Sequence, residues 1–119
     1  MERRVVITGL GAITPLGCTV ETYWDNLKNG VCGIDYIRKF DATDYKVKIG
    51  AEVKDFEPEL YVEKKELKRN DLFTIYAIAA SVQAFKDSGM EMEKEDAGRV
   101  GVMIGSGIGG LMTLQDNIM

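Results

Sequence analysis

Histidine is absent from all 119 residues of the sequence. The chain therefore lacks the side chain that most often serves as a general base near neutral pH and most often binds metal. Cysteine is scarce too. Cys18 and Cys32 are the only two, and without histidine they cannot supply the four sulfur or nitrogen ligands of a structural zinc site. No apolar run approaches the roughly 18 residues that a membrane-crossing helix needs. Basic residues number 15 against 19 acidic ones, which argues against general nucleic-acid binding, since that normally requires a strongly basic face. What remains is 45% hydrophobic and 29% charged, a balance that can bury one core, so one globular domain is expected.

The start, Met1-Glu2-Arg3-Arg4 followed by an apolar stretch, superficially resembles a secretory signal. Thr8, Gly9 and Gly11 interrupt it, and no small-residue cleavage site follows. A reducing, cytoplasmic setting is the expectation, with both cysteines as thiols. At the other end the sequence stops at Met119 without a polar tail or capping signal, which reads as a cut rather than a finished domain.

Along the chain, Val5-Val6-Ile7-Thr8 is a β-branched run ended by Gly9 and predicts a buried strand. Val20, Tyr23, Trp24 and Leu27 recur at helical spacing, with Thr19 as cap and Gly30 as stop. Alternation over 47–54 predicts a half-exposed edge strand. Pro58 suits a first helical turn. Asp71 then caps a helix over 72–87 closed by Gly89. Its apolar residues surround nearly the whole circumference, as expected for a helix inside something large. Residues 90–97 read as an acidic surface loop and 99–104 as a second buried strand. The order of elements gives an α/β fold.

Gly105, Gly107 and Gly110 satisfy G-x-G-x-x-G directly after that strand. Such glycines suit a phosphate cradle at a helix start, and equally a close-packed loop beside another backbone or a ligand. A dinucleotide-binding module is thus one alternative. A P-loop is excluded, because Leu111 and Met112 stand where Lys and Ser or Thr are needed. A serine nucleophile elbow is excluded by Ile104 and Ile108. Cys18 lies beside a helix start, whose dipole can lower a thiol pKa, but no histidine is present to activate it. Lys64, Lys65, Lys68 and Arg69 outnumber Glu63 and Glu66 locally. They form either a solvated helix face or a docking patch for an acidic partner.

Four separated segments share one further property. The run from Val5 to Gly17 resembles the opening of the β-ketoacyl-acyl carrier protein synthases. Trp24, Leu27, Gly30, Gly33 and Ile34 match that family's W-x-x-L-x-x-G-x-x-G-I pattern. Asp71, Phe73, Ala77, Ala79 and Ala80, then Asp87-Ser88-Gly89, resemble its central helix. Arg99-Val100-Gly101-Val102 and the run from Gly105 to Gly110 resemble its next strand and loop.

The resemblance implies a thiolase-like α/β fold, with residues 1–119 as the amino-terminal part of its first half only. It implies a decarboxylating condensation of an acyl thioester with a malonyl thioester, acyl carrier protein as partner, and a homodimer at full length. No cofactor, metal, nucleic acid or membrane span is implied. The family's nucleophilic cysteine and two histidines lie downstream of the matched region, so no catalytic residue is assigned here and the isolated chain is expected to be inactive. Ile108 and Gly107 fall at the acyl pocket by this resemblance. Lys65, Lys68 and Arg69 fall at the carrier-protein docking patch. A polyketide ketosynthase or a non-catalytic chain-length-factor-like subunit remains an alternative.

Overall fold

The computed structural model describes residues 3–119; the Met1-Glu2 start of the signal-like stretch lies outside the described residues. Two compact units are present. One is Ala12–Glu57, and the other combines residues 3–11 with Pro58–Met119.

The Ala12–Glu57 unit opens with a tight turn. Thr14 and Gly17 exchange backbone hydrogen bonds at 2.9 and 3.1 Å across Pro15 and Leu16. Helix α1 (Val20–Lys28) follows, with the Thr19 hydroxyl accepting from the Thr22 amide at 3.2 Å, the cap that its sequence predicts. The Asn26 side-chain amide donates to the Leu16 carbonyl at 2.6 Å and ties the helix back to the turn. Strands β1 (Ile34–Tyr36) and β2 (Ile49–Ala51) then pair antiparallel, with Asp35 opposite Gly50. The ladder is shorter than the 47–54 alternation predicts, and its partner β1 escapes the sequence reading altogether. Its half-buried face is also the opposite one: Asp35 and Gly50 are partly covered while Ile49 is exposed.

Asp35 fastens this ladder. Its carboxylate accepts from the Tyr36 amide at 2.8 Å, from Lys54 Nζ at 3.1 Å and from Arg38 Nη2 at 2.9 Å. The Tyr36 hydrogen bond first, then Lys54 by hydrogen bond and charge, hold its pKa below the ordinary carboxylate value. A depressed folded pKa means the unfolded chain binds the proton more tightly. The Asp35 contribution is therefore complete above about pH 4 and is lost as pH falls through the lower folded value. Acid unfolding of dilute chain, followed by the emission of the single tryptophan, Trp24, tests this. Asp35→Asn should flatten the acid limb of the stability curve; an unchanged limb would contradict the assignment.

The other unit is built on α3. A single 3-10 turn at Pro58–Leu60 and the four-residue helix α2 (Lys64–Leu67) lead into α3 (Leu72–Ser88), which is free of glycine and proline. Gly89 ends it at φ 66°, as expected of a helix stop. Ile75 and Ala79, one turn apart, are the buried apolar residues among those described. Gln83 Nε2 donates to the Tyr61 hydroxyl at 2.9 Å, holding the preceding stretch on the helix. Residues 9–11 run against the same helix, backbone to backbone. A Cβ at Gly11 would run into the Ala80 carbonyl, and one at Gly9 would stand 2.6 Å from the Ser88 amide nitrogen. The Leu10 amide donates to Asp87 Oδ2 at 2.8 Å and pins the segment there.

Two expectations change here. Residues 5–8 and 99–104 are not strands, and neither run is buried: Val5 is 91% exposed and Met103 98%. A strand is defined by its ladder, and among the described residues the one ladder of named strands is that of β1 with β2, which takes in neither run. Within the acidic stretch and at the start of the second run, two 3-10 turns form instead, at Met92–Lys94 and Ala97–Arg99. The chain closes with α4 (Leu111–Ile118).

Candidate functional site: the glycine loop and the basic turn

The glycine loop, residues 105–110, joins the second exposed run to α4. Its first half stands clear of the body, since a Cβ at Gly105 or Gly107 would meet nothing within 4 Å. Ile108 is 77% exposed. Inside the loop the Ser106 hydroxyl accepts from the Gly109 amide at 3.0 Å, and Gly109 sits at φ 79°. The loop meets the body at its carboxyl end. There Gly110 lies so close to Asp71 that a Cβ would stand 2.5 Å from the carboxylate Oδ2. That oxygen accepts from the Thr113 hydroxyl at 2.6 Å.

Asp71 thus holds the N-cap position of α3, as predicted, but its side chain makes no cap hydrogen bond and instead reaches α4. The Thr113 hydroxyl, foremost, keeps its pKa below the ordinary carboxylate range, with neighbouring amides adding to the effect. A carboxylate against Gly110 also bears on the phosphate-cradle reading. The negative charge sits at the root of α4, where a phosphate would have to approach, and repels it. The geometry therefore speaks against a dinucleotide site.

The basic residues lie on the turn ahead of α3. Lys65 is in α2, Lys68 follows it and Arg69 comes next; all three are exposed. Arg69 Nη1 pairs with Glu66 Oε1 at 3.4 Å, both in solvent, a contact of little energetic weight. Arg69, Asp71, Phe73, Gly110 and Thr113 border one concavity of about 400 Å³. The structure thereby brings one end of the basic cluster to the root of the glycine loop. Sequence reasoning missed the Asp71–Thr113 bond, and no local pattern signals a pairing 42 residues apart.

Cys18 shows no activation of its thiol. Its thiol donates to the Lys54 carbonyl at 3.3 Å, and burial, then the charge of Asp55, push its pKa up rather than down. Both effects disfavour the thiolate, which is the nucleophilic form. Cys32 is exposed. Among the described residues no group of acidic or cysteine side chains could hold a metal ion, and no helix is long and apolar enough to cross a membrane.

Residues 2–118 match the family model described as beta-ketoacyl synthase, N-terminal domain, and the chain belongs to that family. Its curated relatives include 3-oxoacyl-acyl-carrier-protein synthase 2 of Vibrio harveyi, 51% identical over 110 residues, which are 92% of this chain and 26% of the relative. The protein of the same name from Synechocystis is 47% identical over 115 residues, 97% of this chain and 28% of the relative. That of Staphylococcus aureus is 47% identical over 114 residues, 96% and 28%. The chain thus spans about a quarter of the length of these relatives. A solved structure, the ishigamide ketosynthase/chain length factor, superposes with a TM-score of 0.71 at 34% identity, over 78% of this chain and 23% of that one.

Proposed function

We propose that these residues form the amino-terminal part of the first half of a thiolase-like α/β condensing enzyme that elongates acyl chains on acyl carrier protein in the cytoplasm, as a homodimer at full length. The observation that carries the reading is the ordered match to the beta-ketoacyl synthase model over residues 2–118. In the reaction a cysteine thiolate downstream holds the acyl group as a thioester. Malonyl-acyl carrier protein loses carbon dioxide, and the carbanion left at its C2 attacks the thioester carbonyl. The new carbon–carbon bond forms as the bond to cysteine sulfur breaks, returning the thiolate. Oxyanion donors and two histidines, also downstream, stabilise the developing charge.

This segment contributes shape and docking. Ile108, with Gly107 beside it, lines the acyl pocket, and its branched side chain limits how far a chain can enter. Lys65, Lys68 and Arg69 receive the acidic carrier protein. Neither role needs a nucleophile, which fits a segment without histidine and with Cys18 held as a thiol.

A chimera tests the reading: the Vibrio harveyi synthase with its matching stretch replaced by these residues. It should condense acyl and malonyl thioesters, and Ile108→Phe should lower kcat/KM for long primers about tenfold more than for short ones, the size expected when a pocket is filled by a ring. The 119 residues by themselves should show no turnover. A folded chimera without activity, or an unchanged length profile in Ile108→Phe, would overturn it. The ketosynthase/chain length factor neighbour favours one second reading, a polyketide ketosynthase or its non-catalytic partner subunit. The residue at the downstream nucleophile position separates an active subunit from an inactive one.

A further inference from the structure

We infer that Asp71 and Thr113 are a positioning pair that sets where Ile108 sits, and so tunes which acyl lengths the pocket accepts; this rests on the acyl-pocket role proposed above. The loop 105–110 meets the body at its carboxyl end, where Gly109 lies beside Phe73 and Gly110 beside Asp71. A Cβ at Gly105 or Gly107 would meet nothing within 4 Å, and the Ser106–Gly109 hydrogen bond closes residues 106–109 on themselves. At the carboxyl root Gly109 is at φ 79° and Gly110 abuts the Asp71 carboxylate. The Thr113 hydroxyl, on the first turn of α4, grips the same carboxylate oxygen at 2.6 Å. One side chain at the start of α3 thus fixes both the last residue of the loop and the helix that follows it. Ile108 is two residues from that anchor, so a small rotation at the root is carried directly to its side chain.

Thr113 is exposed and Asp71 half-buried, and their contact is polar rather than packed. Its loss should therefore change loop placement without unfolding the domain. The experiment uses the Vibrio harveyi chimera with Thr113→Val, which keeps side-chain shape and removes the donor, and Thr113→Ser, which keeps the donor. Thr113→Val should shift the ratio of kcat/KM between long and short primers about fivefold, mainly through KM, a size set by one lost charge-assisted hydrogen bond in solvent. It should also speed amide exchange at Gly109 and Gly110. Thr113→Ser should keep the parent profile. Gly110→Ala, which forces a methyl group against the carboxylate, should shift the profile as Thr113→Val does. An unchanged length ratio in Thr113→Val, or an equal shift in the valine and serine variants, overturns the inference while leaving the condensing function intact. A folded parent chimera that does not condense overturns the function, and the pair's role in it with it.

Discussion

The 119 residues expressed alone will self-associate and bind an apolar dye strongly. Val5 and Ile7 on one run, and Val102 and Met103 on another, present apolar side chains to solvent along backbone with no ladder partner among the described residues. Unpaired backbone with an apolar face is a template for pairing with another chain, and contiguous exposed patches of this kind mark surfaces that bury themselves against something. Sedimentation should show mass rising with concentration, and dye emission should increase several-fold over that of a compact protein. Val5→Lys with Val102→Lys should restore a smaller species, since a charge on each run makes stacking costly. A monomer that stays monodisperse at high concentration and leaves the dye dark would mean that these runs find cover within the chain itself.

The second large effect concerns the basic turn. In the chimera, Lys65→Glu together with Arg69→Glu should weaken binding of acyl carrier protein at low salt by about tenfold or more, equivalent to about 1.4 kcal/mol per decade. Two rim charges change sign, and the freed Glu66 then faces a third carboxylate where Arg69 had neutralised it. The difference should shrink as salt rises, because exposed charges are screened beyond about 8 Å at physiological ionic strength. Lys46→Glu with Lys48→Glu makes the same change in net charge elsewhere and serves as the control. Equal loss in both variants would show a response to overall charge and dispose of a docking site.

The helices were the most legible elements, because their signals are local. Thr19 before Val20, Asp71 before Leu72 and Gly89 after Ser88 mark ends within a residue or two. Strands depend on partners, and there the reading was weaker. Val5 to Thr8 and Val100 to Ile104 have the composition of strands, yet composition cannot supply a neighbour. The three residues of β1 are too few for any period to emerge, and what holds them is Asp35 reaching Lys54 from 19 positions away. At the glycine loop, spacing showed that something needs a small residue at 110 without showing what. The cause is the Asp71 carboxylate, placed there by folding over a separation that no pattern in the chain encodes. Family resemblance assigned roles to Ile108, Lys65, Lys68 and Arg69, but it gave no hint that Arg69 and the loop root share one concavity.

The contact between residues 9–11 and α3 has a consequence for how that site tolerates change. Most packed positions respond in proportion to size, losing a little for each added carbon until neighbours can no longer shift. Here the obstacle is a peptide carbonyl of the helix itself, which has no rotamer to yield. Tolerance at position 11 is accordingly all-or-none: the first carbon is already excluded, and alanine fares little better than leucine.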